Sequence, residues 1–343
     1  MEPALFRLGT IRELFAFTDW ARDKLMTVAS GLADEQLDRK FEMGEGSLRA
    51  TLNHLWSSER MWLDRWKRHP QPRSRKDAAG VTMSGLWQEF RETAAERTKF
   101  LAGMGDADLP HLLTYTNVRG ETYTFPFGGM MLHVSNHGSH HRAQAVNMIR
   151  RVGAALPRPG LDYIFMKIEA PETTPCGLDL GTLRTYFAYG DWANARVLAE
   201  AAKLTDEQLN RPFEIGLGTL RKTLVHIRDA EQWWFCNWTK GPGELFPQAD
   251  EAIGVDQLQR LFAETASKRN EFISGLSDPD LKRIVKATPR PNVLRILPLG
   301  VPMLQLNHHG THHRAQALNM LRHVGAKIPA LDVVVWLRER SAA

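Results

Sequence analysis

A 22-residue stretch occurs twice in this chain and limits what it can fold into more than any other feature. The first copy, residues 132–153, reads LHVSNHGSHHRAQAVNMIRRVG; the second, residues 304–325, reads LQLNHHGTHHRAQALNMLRHVG. Fourteen of the 22 positions are identical, including His137/His309, His140/His312, His141/His313, Arg142/Arg314 and Gln144/Gln316. The match extends outward, because Leu8 to Gly153 aligns on Leu180 to Gly325 at a constant offset of 172 without a gap. LGT at 8–10, Asp19-Trp20 and DEQL at 34–37 recur at 180–182, 191–192 and 206–209. A period this long marks a duplicated domain rather than a solenoid. The 343 residues therefore divide into two domains of ordinary size, 1–172 and 173–343. Loop lengths have survived the duplication, so the two folds are expected to superpose.

Each half reads as four main helices. The first covers roughly 9–31, with Leu14, Phe17, Ala21, Leu25 and Val28 at helical spacing. Ser47, matched by Thr219, is a good N-cap for a second helix over about 48–68, which carries Leu48, Leu52, Leu55, Trp62 and Trp66. HPQPRSRKDAAG is a polar crossover, and a third helix runs over about 83–104 through Leu86, Phe90, Ala94, Arg97 and Leu101. LLTYTNVRGETYTFPF reads as a short β-hairpin around Arg119-Gly120, although Pro289 and Pro291 weaken that reading in the second half. The fourth helix is the histidine stretch, with Met131, Val134, Ala145, Met148 and Val152 on one stripe and Gly153 and Pro157 as stop signals. The fold class is all-α: two four-helix bundles in tandem with short hairpin or loop insertions. Between them, LDYIFMKIEA is too apolar for a free tether and is expected to pack on the first bundle; LDVVVWLRER at the C-terminus is its counterpart, Asp162 matching Asp332.

Composition excludes more than it proves. With 44 Lys and Arg against 39 Asp and Glu, the charge of +5 is interleaved and forms no basic block, so a nucleic-acid partner gains no support. Cys176 and Cys236 match no motif and are not equivalent between the halves, which favours a reducing cytoplasm over a disulfide framework. No stretch approaches a membrane span, and the N-terminus does not read as a signal peptide. No P-loop, dinucleotide fingerprint or Ser/His/Asp grouping occurs.

The chemistry lies in the histidines. Of 13, only four columns survive the duplication: His54/His226, His137/His309, His140/His312 and His141/His313. Residues four apart on a helix lie about 40° apart around the axis, so His137 and His141 share a core-facing edge, while His140 falls on the other side of His137. His140 is therefore expected on the surface or behind the ligands. Neutral imidazole is a common ligand for zinc, copper, iron or nickel. Three histidines with no paired fourth ligand describe an open site. Ordinary core histidines making hydrogen bonds are the alternative. For Arg142/Arg314 and Gln144/Gln316 the competing readings are anion binding or support of the ligands, and a solvated helix face. Asp19-Trp20 reads as core or as cavity lining, and Glu59/Glu231 is placed about 140° around the helix from the first histidine, too far for an obvious general base.

WARDKL, DEQL, SLRATLNHLWSSERMW, NHGSHHRAQAVNMIRRVG and LDYI, in this order, resemble the DinB/YfiT-like metalloenzyme family, once per half. The resemblance implies a bundle with one long crossover and a divalent metal, zinc or nickel, held by His54, His137 and His141 and again by His226, His309 and His313. It further implies chemistry of a low-molecular-weight thiol, such as S-transfer or thiol-dependent isomerisation, on a small-molecule substrate. Arg142 and Arg314 are then candidate contacts for a carboxylate on the thiol cofactor. A non-catalytic metal-binding structural or sensing module is the competing function. Single-bundle relatives frequently pair, so the two halves are expected to form an internal pseudo-dimer.

Overall fold

A computed structural model of the chain describes residues 6–117, 120–156, 158–169, 177–243, 245–247 and 252–342. It is all-α, with twelve α-helices and two two-stranded sheets among the described residues. None of the described helices is long and apolar enough to cross a membrane. Cys236 is a free thiol, and Cys176 lies outside the described residues.

The first bundle is built from α1 (Leu8–Ala29), α3 (Leu48–Trp66), α4 (Met83–Ala102) and α5 (Phe127–Arg151), with a short α2 (Asp34–Asp38) before α3. Its apolar stripes close on one another: Leu14, Leu25, Leu48, Leu52, Phe90, Met131 and Met148 are fully buried. Ser47 caps α3 by accepting the Ala50 N–H at 3.2 Å. The α5 helix stops where Gly153 takes φ +79°, a left-handed conformation that only glycine adopts at little cost, and the Ala154 N–H reaches back to the Ile149 carbonyl. The repeated DEQL segment has a structural task. Gln36 Nε2 donates to the Val152 carbonyl, and Arg39 donates to that of Arg151, so α2 closes the C-terminus of the histidine helix.

The second bundle repeats this plan with α7 (Leu180–Ala201), α8 (Asp206–Asn210), α9 (Leu220–Thr239), α10 (Val255–Ser274) and α11 (Gly300–His323). Thr219 caps α9, and Gln208 and Arg211 close the end of α11 on the carbonyls of Val324 and His323.

A hairpin precedes the histidine helix in both bundles: β1 (Leu112–Thr116) pairs antiparallel with β2 (Thr122–Pro126), and β3 (Ile284–Arg290) with β4 (Val293–Pro298). In the first, Gly120 lies in the expected turn with φ +80°, while Val118 and Arg119 lie outside the described residues. The second is a hairpin despite its prolines. The register shifts between Ala287 and Arg290, and Asn292 takes φ +61°, so Pro289 and Pro291 sit at the irregularity and turn where no ladder N–H is needed.

One expectation fails. The compact units are Met1–Leu161 with Asp332–Ala343, and Asp162–Leu331. LDYIFMKIEA does not pack on the first bundle: α6 (Tyr163–Glu169), which it forms, packs on α11 in the second unit. There Tyr163 is fully buried, and the Ile164 N–H donates to Gln305, whose Nε2 donates to Asp162. Its counterpart α12 (Val333–Ala342) packs on α5 in the first unit. Val333, Trp336 and Leu337 are buried, and a Cβ at Gly129 would stand 2.7 Å from Leu337 Cδ1. Each four-helix core is thus completed by the terminal helix of the other repeat. Ala170 and residues 171–176 lie outside the described residues.

Candidate metal centres

Each bundle brings three imidazoles together. In the first unit His54 from α3 meets His137 and His141 from α5; in the second His226 from α9 meets His309 and His313 from α11. One ring nitrogen from each residue lies within 4.8 Å of the other two in its group. His54 Nε2 stands 3.2 Å from His137 Nε2, and His226 Nε2 stands 3.0 Å from His309 Nε2. Two nitrogens bound tetrahedrally at about 2.0–2.1 Å from one zinc ion would stand about 3.3–3.4 Å apart, so the donor set fits a metal.

The protonation state fits too. Burial, reinforced by the neighbouring imidazoles, pushes His137 and His141 well below the usual histidine range. Burial does the same to His313, lowers His226, and takes His309 down to about 3, against the opposing charge of Asp162. These rings are neutral at pH 7 and have lone pairs to offer.

Gln144 and Gln316 hold the third ligand in place. Gln144 Oε1 is 2.7 Å from His141 Nδ1, and Gln316 Oε1 is 2.9 Å from His313 Nδ1. An amide oxygen can only accept, so Nδ1 carries the proton and Nε2 is left for the ion. The amide's other end meets His140 Nε2 at 3.1 Å or His312 Nε2 at 3.0 Å, which places the fourth shared histidine behind the ligands. A loop passes over this amide at Gly44, φ +54°, and at Gly216, φ +51°. A Cβ at Gly44 would stand 3.1 Å from Gln144 Oε1, and one at Gly216 would strike the Gln316 amide. Glycine is required there twice over.

The arginines after the last histidine are not on a solvated face. Arg142 and Arg314 are each about 4% exposed, lying over Phe17 and Tyr189 respectively. Arg142 donates to Ser139; Arg314 donates to Thr311 and Asn194. Gly138 and Gly310 make this possible, since a Cβ there would stand 2.9 and 2.8 Å from the guanidinium one turn on.

Glu59 and Asp19 belong to a buried ion network. Arg97 donates to Glu59 at 3.0 Å and to Asp19 at 2.5 Å, across α4, α3 and α1. Arg269 repeats it with Glu231 at 2.9 Å and Asp191 at 2.6 Å. Burial raises the Glu59 carboxyl in spite of Arg97 and Arg22, and that of Glu231 in spite of Arg269. Trp20 stacks on Phe17 instead of joining the imidazoles. Sequence reading missed Arg97/Arg269 as the centre of this network. The available signal was an arginine on an otherwise apolar stripe in both halves.

Two all-α bundles, each bringing together three imidazoles of which the third has its Nδ1 held by a glutamine, form two groups that could hold a metal ion. The DinB family model matches residues 3–174 and again 179–340, and the chain belongs to the DinB family. No curated protein and no solved structure matches it.

Proposed function

We propose that the duplicated modules, residues 1–172 and 173–343, each bind one divalent ion, zinc or nickel, and act on a small molecule with the help of a low-molecular-weight thiol. The observation that carries this is the convergence of three imidazoles in both copies, with paired Nε2 atoms at 3.2 and 3.0 Å. An ion bound there would serve as a Lewis acid, lowering the pKa of a thiol or water at the position three ligands leave open. His54, His137 and His141, and likewise His226, His309 and His313, would hold the ion. Gln144 and Gln316 fix the tautomer of the third ligand. The role proposed for Arg142 and Arg314 is to meet an anionic group on the thiol; the charge of Arg314 already acts on His309.

The test is turnover of a generic electrophile with bacillithiol, mycothiol, glutathione or coenzyme A by metal-loaded protein. The expected result is thiol-dependent turnover that is lost in the His141→Ala/His313→Ala double variant; equal rates would remove metal-assisted thiol chemistry. One observation favours a non-catalytic module instead. Glu59/Glu231 is the only carboxylate position α3 and α9 share, and it is occupied by Arg97 or Arg269. Absence of turnover with every thiol selects that reading. We also propose that the modules pair as an internal pseudo-dimer, since linkage raises effective concentration to about millimolar. Scattering should report one compact particle, and an extended, mobile pair would contradict it.

A further inference from the structure

The two triads are alike, but what surrounds them is not. Ser58 Oγ lies 3.5 Å from His54 Nε2, on the nitrogen that faces His137. The matching residue beside His226 is Ala230. Glu45 Oε1 lies 3.9 Å from His54 Nδ1; the matching residue is Leu217, an exposed leucine. In the crossover, the Phe246 ring lies 5.3 Å from the His226 ring, where the repeat places Ser74 in the first half. Two polar residues at the first triad, Ser58 and Glu45, are thus replaced by apolar ones in the second repeat, and the second triad has an aromatic neighbour.

The difference continues outward. Phe246 packs on Trp233 at 5.5 Å, and Trp233 lines a cavity of about 590 Å³ whose wall combines Val225, Ile253 and Leu261 with Arg228, Asp229 and Lys240. In the first unit, positions 60 and 64, which match Gln232 and Cys236 of that cavity, hold Arg60 and Asp64, paired with each other and with Arg73 and Glu96. The cavity there, about 430 Å³, is walled by Arg60, Arg73, Arg75, Glu89, Glu92 and Glu96. Asp162 and Asp332 occupy matched places, but Asp162 acts on His226 and His309 whereas Asp332 faces His133.

We infer that the two centres select different ligands: the second a thiol with an apolar or aromatic tail, the first one with a polar or cationic tail. This rests on the proposed thiol reading for the donor atom. A phenyl group would meet Ala230, Phe246 and Leu217 at the second centre. At the first, an ammonium would meet the carboxylate of Glu45 and the hydroxyl of Ser58. Burying apolar surface against the one wall and desolvating charge against the other set the preference.

The experiment uses cobalt(II) as the metal probe and two thiols with the same donor, 2-phenylethanethiol and cysteamine. Binding is read from the thiolate-to-cobalt absorption band. His141→Ala leaves only the second triad intact and His313→Ala only the first. The ratio of affinities, phenylethanethiol over cysteamine, should be about tenfold larger at the second centre than at the first. Ala230→Ser/Phe246→Ser should bring it down toward the first centre's value, and Ser58→Ala/Glu45→Leu should raise the first. Equal ratios at two cobalt-loaded centres, or cobalt bands without any thiolate band, overturn the inference while leaving metal binding intact. Absence of cobalt bands at both removes the metal reading and the inference together.

Discussion

The first and second bundles differ least where three imidazoles meet and most one layer further out. The shared set is compact: the six histidines of the two triads, Gln144/Gln316 behind them, Gly44/Gly216 over the amide, Gly138/Gly310 under the arginine, and the Asp–Arg–Glu network through Arg97/Arg269. Outside it the copies part. Arg22 is hydrogen-bonded to Asp19 and Asp23, and Trp87 to Asp23, where the second copy has Asn194, Ala195 and Gln259. Asp64, held far below the usual carboxylate range by Arg73 and Arg60 although burial opposes it, corresponds to the thiol of Cys236. Arg22 and Asp23 disappear together, as do Arg60 and Asp64, while Glu96 gives way to Lys268. A buried ion pair broken one side at a time costs about 3–5 kcal/mol, so such positions change as sets or not at all. The residues that support the triads are retained along with structural segments such as DEQL, while the charged pairs further out are not.

That comparison can be broken at several points. The largest effect is expected from deleting residues 332–343. Val333, Trp336 and Leu337 are buried on the first unit, and each such side chain contributes roughly 1.5–3 kcal/mol, so the loss is on the order of 5 kcal/mol. It should fall on the unit of His54, His137 and His141, although the deleted segment belongs to the second repeat. Hydrogen exchange should show α5 deprotected and α11 unchanged; deprotection of α11 instead would refute the exchange of terminal helices. A smaller effect is expected at the amides. Gln144→Ala should weaken zinc binding at the first centre about 10- to 100-fold, and Gln316→Ala should do so at the second, measured by competition with a chelator. Unchanged affinity would mean that neither amide orients its histidine.

The mildest test is pH. His137, His141, His226, His309 and His313 titrate below the unfolded histidine value of about 6.5, and His309 does so at about 3. Between those values the unfolded chain binds more protons, so stability of the metal-free protein is fully present above about pH 6.5 and is lost as pH falls. Both bundles carry such buried imidazoles, His137 and His141 in one and His309 and His313 in the other, so both should lose stability in thermal melts between pH 7 and pH 4. Loss confined to one would separate copies that the structure shows as equivalent.

Much of this was legible in the sequence, because duplication doubles every signal. Ser47 and Thr219 announce the same cap, and His54/His226 stands out only because its counterpart 172 residues away is also histidine. The terminal helices were not legible. LDYI and LDVV are near copies, so either would suit either bundle, and proximity along the chain pointed to the wrong one. Gln144 was not legible either. Its helical position suits a solvated face, and only a loop crossing at Gly44 turns that face inward. Arg97 read as a helical stripe residue because its partners, Asp19 and Glu59, lie on two other helices.

The central claim is two like metal centres in one chain, and elemental analysis tests it most directly. Protein incubated with zinc or nickel and freed of excess should carry two ions per chain, and the His141→Ala and His313→Ala variants one each. A wild-type chain that stays empty with both metals would contradict the account, as would a single variant that loses both ions.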